Sequence, residues 1–75
     1  MENQLITVNL NYENNNFVIK SYMVQIYNNT DGEIVLKYNH MDFYGDGYLI
    51  KINEKEYEGN FIYYINNNIL NIYFE

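Results

Sequence analysis

The chain contains no cysteine, proline, tryptophan, alanine or arginine. Without cysteine it has neither a disulfide nor a thiolate metal site, a composition that suits a reducing compartment. Its four lysines are the only strongly basic side chains, too few for the positive groove through which proteins bind DNA, RNA or an anionic membrane. No apolar run approaches the roughly 18 residues of a membrane-spanning helix, and residues 1–4 lack the basic start of a signal peptide. We therefore expect a cytoplasmic protein that binds neither nucleic acid nor membrane directly.

Three residue types dominate instead: 15 asparagines, ten isoleucines and ten tyrosines. A coding sequence rich in A and T would enrich lysine along with these three types, so the shortage of cations has a separate cause. Ten acidic residues against four lysines give a formal net charge of −6. An acidic surface suits a basic partner, but a net charge of magnitude roughly 2–8 is also ordinary for the solubility of a small domain. The composition does not choose between these two interpretations.

The length of 75 residues predicts a single domain over 1–75. A core of this size stabilises a chain by only about 3–5 kcal/mol. Apolar and polar residues alternate through most of the sequence, which is the period of β-strands. We predict an all-β domain, an antiparallel meander of about six short strands that closes as a barrel or a two-layer sandwich. The predicted strands are 6–12, 17–27, 34–38, 48–52, 57–65 and 69–74.

The segments between these strands are rich in asparagine and glycine, which tolerate the left-handed backbone of tight turns. Gly59 interrupts a strand and predicts a β-bulge. The second strand, 17–27, is apolar on both sides, which predicts a central strand or one that another surface covers. The predicted turns and loops are 13–16, 28–32, 40–47, 53–56 and 66–68.

The last predicted hairpin is also an aggregation hazard. Its strands, 61–65 and 69–74, are uncharged, rich in β-forming residues and free of proline. A soluble protein covers such strands by closing the sheet, by pairing with a second copy or by binding a partner. The small core and the apolar residues on both faces favour a homodimer or a sheet that binds another protein.

One segment partly matches a calcium-binding loop. Asp42, Asp46 and Gly47 fit positions 1, 5 and 6 of that loop, but Tyr44 and Asn53 stand where further carboxylates belong. Two carboxylates do not fill a site of six to eight oxygen ligands. A tight turn between strands explains the segment better, and we expect no metal.

Catalytic motifs are similarly weak. His40 is the sole histidine and Ser21 the sole serine, and nothing in their spacing supports a hydrolytic triad. We therefore expect no enzymatic activity and no cofactor. A minimal enzyme or metal-binding protein around His40 and Asp42/Asp46 is the last of three functional hypotheses.

The clearest constellation of charge is Glu54, Glu56 and Glu58. In an extended segment these three acids share one face, and Tyr57 points to the other. Neighbouring carboxylates would then lie about 6.6–6.8 Å apart, so the row would have half the linear charge density of one DNA strand. Such a row mimics phosphates only weakly without further acids nearby, and a solvated face that discourages edge pairing explains it equally.

Tyrosines at strand positions are often half-buried, but exposed ones anchor protein interfaces at low entropic cost. Stacking on single-stranded nucleic acid would additionally need a positive groove, which this composition excludes. The predicted partner-binding residues are therefore acids and tyrosines: Asp42, Tyr44, Asp46, Tyr48, Glu54, Glu56, Glu58, Tyr63 and Tyr73.

The leading hypothesis is a small acidic inhibitor that occludes a basic, nucleic-acid-binding surface of another protein. In size, charge and lack of catalytic motifs, the chain is similar to small acidic inhibitors of phages and mobile elements, including anti-CRISPR and other anti-defence proteins. That similarity implies a viral protein acting in the host cytoplasm on a nuclease or another nucleic-acid-binding effector. The alternative is a self-assembling structural or accessory β protein.

Overall fold

The computed structural model describes residues 5–28, 32–36 and 43–75. Its strands are β1 (Ile6–Tyr12), β2 (Asn15–Ser21), β3 (Val24–Asn28), β4 (Gly32–Leu36), β5 (Phe43–Ile52), β6 (Lys55–Asn66) and β7 (Ile69–Phe74). All seven belong to one sheet with the order β2-β1-β7-β6-β5-β3-β4. Each neighbouring pair is antiparallel except β1 and β7, which run parallel. The all-β class and the mostly antiparallel pairing are thus confirmed.

As far as the described residues show, the sheet is not closed into a barrel, because its order starts at β2 and stops at β4. The predicted closure as a barrel or sandwich is therefore not confirmed. The described ranges contain one strand more than predicted, because residues 17–27 do not form a single strand. The Ser21 hydroxyl donates to the Met23 carbonyl (2.7 Å) and accepts from the Met23 N–H (3.2 Å). This local bend competes with continued pairing, and it leaves β2 at an edge of the sheet, not at its centre.

The core lies on one face of the sheet, which we call the inner face. The rings of Tyr12 on β1 and Tyr57 on β6 are 5.4 Å apart between centroids, although β7 lies between these two strands. The sheet therefore curls around the side chains of its inner face. The opposite face, the outer face, is turned to solvent. The buried apolar residues follow the two-residue period: Ile6, Val8, Leu10, Val24, Ile26, Ile50, Ile52, Tyr57, Phe61, Tyr63, Ile65, Leu70 and Ile72.

Asparagine has a conformational role in three hairpins that close with two-residue turns. Both turn residues have positive φ in Glu13-Asn14, Asn53-Glu54 and Asn67-Asn68. This is the pattern of type I′ turns, whose twist matches that of the flanking strands. Asparagine occupies left-handed conformations more easily than most residues because its short polar side chain bonds locally. The turns predicted at 13–16, 53–56 and 66–68 are therefore confirmed, in shorter form.

Glutamate is poorly suited to the second position of such a turn, so Glu54→Gly is expected to stabilise the protein. Glu54 has a φ of 70°, a left-handed conformation that is strained for glutamate and not for glycine. We expect the removal of this strain to outweigh the greater entropy of glycine in the unfolded chain by about 0.5–1 kcal/mol. For a domain of this size the melting temperature should rise by about 3–6 °C. Glu56→Gly is the matched control, because it removes the same charge from strand β6 and should lower the melting temperature. A Glu54→Gly melting temperature at or below that of the unchanged protein would contradict the turn assignment.

The loop predicted over residues 40–47 is wrong for its described part, because β5 begins at Phe43. Gly45 and Gly47 lie in this strand opposite Tyr63 and Phe61. A Cβ atom on Gly45 would lie 2.6 Å from the Tyr63 hydroxyl oxygen, and one on Gly47 would lie 2.6 Å from Phe61 Cζ. These glycines make room for aromatic rings on the inner face and do not mark a loop.

The bulge predicted at Gly59 is confirmed. The pairing of β5 with β6 passes from Gly47–Phe61 to Leu49–Glu58, so β6 contributes two residues where β5 contributes only Tyr48. Gly59 has a φ of 139°, a conformation that residues with a Cβ atom rarely adopt. The bulge therefore depends on glycine at this position.

The hairpin identified as an aggregation hazard forms strands β6 and β7 in the middle of the sheet. β6 pairs with β5, and β7 pairs with β1, so the chain itself covers both strands. The predicted homodimer consequently gains no support from this hairpin. The terminal strands of the sheet are β2 and β4.

Candidate interaction surface

Four large exposed side chains form one patch on the outer face of β5, β6 and β7. Tyr44 lies opposite Tyr64, and Ile62 lies opposite Tyr73. Ile62 and Tyr64 are two residues apart on β6 and so share a face. The exposed fractions are 76% for Tyr44, 54% for Ile62, 41% for Tyr64 and 48% for Tyr73. Directly opposed side chains have Cβ atoms about 4.5–5.5 Å apart, so these four residues form a continuous surface, the outer-face patch.

Acidic residues lie beside this patch. Exposed Asp46 is directly opposite Ile62. Glu56 and Glu58 are exposed on β6, on the other side of the bulge, and their spacing along an extended strand is about 6.6–6.8 Å. Lys51 stands opposite Glu56, where a cross-strand pair of opposite charge contributes about 0.2–1 kcal/mol. The outer face thus combines an apolar patch with neighbouring carboxylates.

Glu54 does not extend this row of acids. It is the second residue of the turn between β5 and β6, and it lines an open cleft with Tyr22 and Lys51. The predicted three-acid face is therefore a pair, Glu56 and Glu58. Tyr57 does point to the opposite side as predicted, because only 9% of it is exposed.

Asparagine amides border the patch on the side of β1. Asn9 Nδ2 donates to Asn71 Oδ1 at 3.0 Å, and Asn11 Nδ2 donates to the Ile72 carbonyl at 3.0 Å. Asn16 Nδ2 in turn donates to Asn11 Oδ1 at 3.0 Å. These bonds connect β2, β1 and β7 through their side chains. The asparagines of this region therefore hold the sheet together.

Three of the four tyrosines predicted as anchors lie at the surface. Tyr44 and Tyr73 belong to the outer-face patch, and Tyr48 is 39% exposed opposite the bulge. Tyr63 is only 3% exposed, so its prediction as an exposed contact is wrong. Its ring fills the space above Gly45 on the inner face.

Sequence reasoning missed Ile62 and Tyr64, which form the centre of the patch. The two-residue period contained the signal, because Tyr63 is in phase with Phe61 and Ile65. If those two apolar residues face the core, then Ile62 and Tyr64 face solvent. The alternation was obscured because all five residues from 61 to 65 are apolar or aromatic.

The alternative site at His40 and Asp42 lies outside the described residues, and so does Asp42 as a partner-binding residue. Asp46 and Gly47 belong to strand β5, which is not the loop that a calcium site requires. Ser21 is bonded to Met23 within a bend. Within residues 5–28, 32–36 and 43–75, no group of three or more histidine, cysteine or acidic side chains could hold a metal ion.

No protein-family model, curated protein or solved structure matches this chain. Among the described residues, no helix has the length and apolarity needed to cross a membrane. The functional argument therefore depends on the outer face: the patch of Tyr44, Ile62, Tyr64 and Tyr73 and the acids beside it.

Proposed function

We propose that this chain is a non-catalytic inhibitor, a small acidic binding protein that occludes a basic, nucleic-acid-binding surface of another protein. The observation that supports this most directly is the position of exposed Asp46 opposite Ile62 of the outer-face patch, with exposed Glu56 and Glu58 further along β6 on the same face. An anti-defence inhibitor of a phage or mobile element, acting in the cytoplasm, has this size and charge. The partner would then be a nuclease or another nucleic-acid-binding effector.

The outer-face patch would hold the complex together. Contiguous exposed apolar surface with a polar rim is typical of protein-binding sites, and tyrosine is enriched among interface residues that cost 2 kcal/mol or more when truncated. The patch lies on β5, β6 and β7, each paired on both sides. Because these strands are already ordered by the sheet, binding through them would cost little additional conformational entropy.

The acids would guide the encounter. With a formal net charge of −6, the chain is attracted to a positive groove, and such steering raises association rates by about 10–1000-fold at low salt. Charged rim residues affect the association rate and partner choice more than they affect the lifetime of the complex. Acids and aromatic residues therefore have separable roles, one in the rate of association and the other in the rate of dissociation.

The proposal is tested by capture and then by competition. Tagged protein is incubated with lysate of a natural host, washed at rising salt, and its bound proteins are identified by mass spectrometry. We expect one basic protein that is retained at low salt and released at high salt. The captured protein is then purified, and its binding to labelled DNA or RNA is measured as this chain is added. Loss of nucleic-acid binding supports occlusion; a ternary complex with nucleic acid overturns it.

If acids of the outer face steer the encounter with the partner, a variant that lacks them should associate more slowly. Asp46→Asn/Glu56→Gln/Glu58→Gln is expected to slow association with the captured partner about tenfold at low salt, with little change in dissociation rate. The dependence of the rate on salt should flatten, because fewer charges contribute to steering. Glu13→Gln/Glu33→Gln is the control, since it removes two exposed acids from the β1–β2 turn and from β4, outside strands β5 and β6. Equal rates for the charge variant and the unchanged protein would contradict steering by this face.

One observation favours the alternative of a self-assembling protein. β2 is a terminal strand, and terminal strands are templates for pairing with other chains. Recovery of the chain alone as a stable oligomer, with no captured partner, would favour this alternative and make the acidic face a matter of solubility.

A further inference from the structure

Among the described residues no strand pairs with the outward edge of β2, where backbone groups point away from the sheet at alternate residues. A two-residue turn links β1 to β2, and the Asn15 N–H of such a turn bonds back to the Tyr12 carbonyl. Alternation along an antiparallel ladder then directs the odd residues of β2 toward β1 and the even residues, Asn16, Val18 and Lys20, away from it. A separate contact agrees with this direction: the Lys20 carbonyl accepts from Asn53 Nδ2 (3.1 Å), which lies outside the β1–β2 hairpin.

This edge is also apolar and free of negative charge. Phe17 is 42% exposed and Val18 is 62% exposed. From residue 14 to residue 30 the sequence contains no acid and one base, Lys20. In a chain of net charge −6 this is the stretch where two copies repel each other least. The opposite terminal strand, β4, carries exposed Glu33.

We infer that two copies of this chain pair antiparallel through β2, about a two-fold axis at Val18. In that register Val18 lies opposite its own copy and Asn16 lies opposite Lys20 of the other protomer. The two Lys20 residues are then about 13 Å apart along the strand, beyond the screening length of about 8 Å at physiological salt. Phe17 lies opposite Ile19 of the other protomer on the inner face, which continues the apolar layer across the junction.

This register pairs the outward-facing backbone groups of β2 with those of the other protomer. Three residues on each protomer provide about six bonds across the axis. The Lys20 carbonyl already accepts a hydrogen bond from Asn53 Nδ2. The two bonds between the Val18 residues are unaffected, and so are the two from the Lys20 N–H groups to the Asn16 carbonyls. One strand pair buries less than the roughly 1,200 Å² of a stable interface. We therefore expect a weak dimer with a dissociation constant of about 10–100 µM.

The dimer is independent of the proposed inhibition, because β1 and β7 separate β2 from β6 in the sheet. It leaves both outer-face patches open. Salt also acts in opposite directions on the two associations. Screening strengthens pairing between two chains of net charge −6, whereas it weakens binding to a basic partner. Failure of one association consequently leaves the other testable.

The experiment is sedimentation equilibrium of the full chain from about 5 to 500 µM, at low and at physiological salt. We expect a monomer–dimer equilibrium that strengthens with salt. Val18→Lys places like charges about 5.5 Å apart between Cα atoms and should yield a monomer with an unchanged melting temperature at low concentration. Val18→Pro should do the same, since it removes an outward N–H; Ile19→Pro removes a bond to β1 and should instead destabilise the fold.

Cross-linking of single-cysteine variants tests the position of the two-fold axis at Val18. The natural chain contains no cysteine, so Val18→Cys should cross-link to itself with a short thiol-reactive reagent. Asn16→Cys and Lys20→Cys should each cross-link poorly alone and efficiently when mixed. A monomer at every concentration overturns the inference, and so does a dimer that persists in Val18→Lys or is lost in Ile62→Thr.

Discussion

Gly47→Ala is expected to lower the free energy of unfolding by about 2–3 kcal/mol, the upper part of the range for overpacked cores. The new Cβ atom would lie 2.6 Å from Phe61 Cζ and 3.0 Å from the backbone oxygen of Tyr27. Phe61 is 1% exposed and in contact with Phe74 at 4.9 Å between ring centroids, so its ring has little space to move. Because a domain of this size has only about 3–5 kcal/mol of stability, the variant should be close to unfolded at 37 °C.

The measurement is urea unfolding followed by circular dichroism, combined with a double-mutant cycle. Phe61→Leu removes the ring atoms that the new methyl group meets, so the loss in Gly47→Ala/Phe61→Leu should be at least about 1 kcal/mol smaller than the sum of the single losses. Gly32→Asn is the control, because nothing lies within 4 Å of a Cβ atom there and asparagine tolerates its positive φ. Additive losses would show that Gly47 and Phe61 do not share space on the inner face.

Ile62→Thr/Tyr73→Thr is expected to weaken binding to the captured basic partner by about 100-fold or more, with the fold retained. The two side chains lie opposite each other, and interface anchors of this kind cost about 2 kcal/mol or more each when truncated, with incomplete additivity between neighbours. Threonine is a β-branched strand former, so the loss in stability at these exposed positions should stay within about 1 kcal/mol. The loss should appear mainly in the dissociation rate, in contrast to the charge variant of Asp46, Glu56 and Glu58.

Surface plasmon resonance separates the two rates, and Tyr22→Thr is the matched control. Tyr22 is 59% exposed, more than Tyr73, but it lies in the bend between β2 and β3, away from the patch. Its replacement should leave both rates unchanged. If Tyr22→Thr weakens binding as much as the double variant, the partner contacts a different part of the surface, and the outer-face patch does not anchor it.

Local features of the fold could be predicted from the sequence because they depend on residues close together in the chain. The asparagines in the turns Asn53-Glu54 and Asn67-Asn68 marked hairpins, since the residues of these turns adopt positive φ, which asparagine tolerates better than most side chains. Gly59 marked the bulge for the same reason. The alternation in residues 6–12 identified the inner face of β1, because side chains of a strand point to opposite faces in turn.

The sequence by itself determined the all-β class, the hairpin turns, the bulge and the acidic surface, all of which follow from local conformational preference and composition. Only the tertiary structure decided strand order: the parallel pairing of β1 with β7 joins residues about 60 positions apart, and no local pattern encodes such a pair. The tertiary structure also decided which side chains are exposed and can therefore form the candidate site. Tyr63 and Tyr64 are identical in type, yet the pairing of Tyr63 with Gly45 leaves room for one ring inside and directs the other to the outer face.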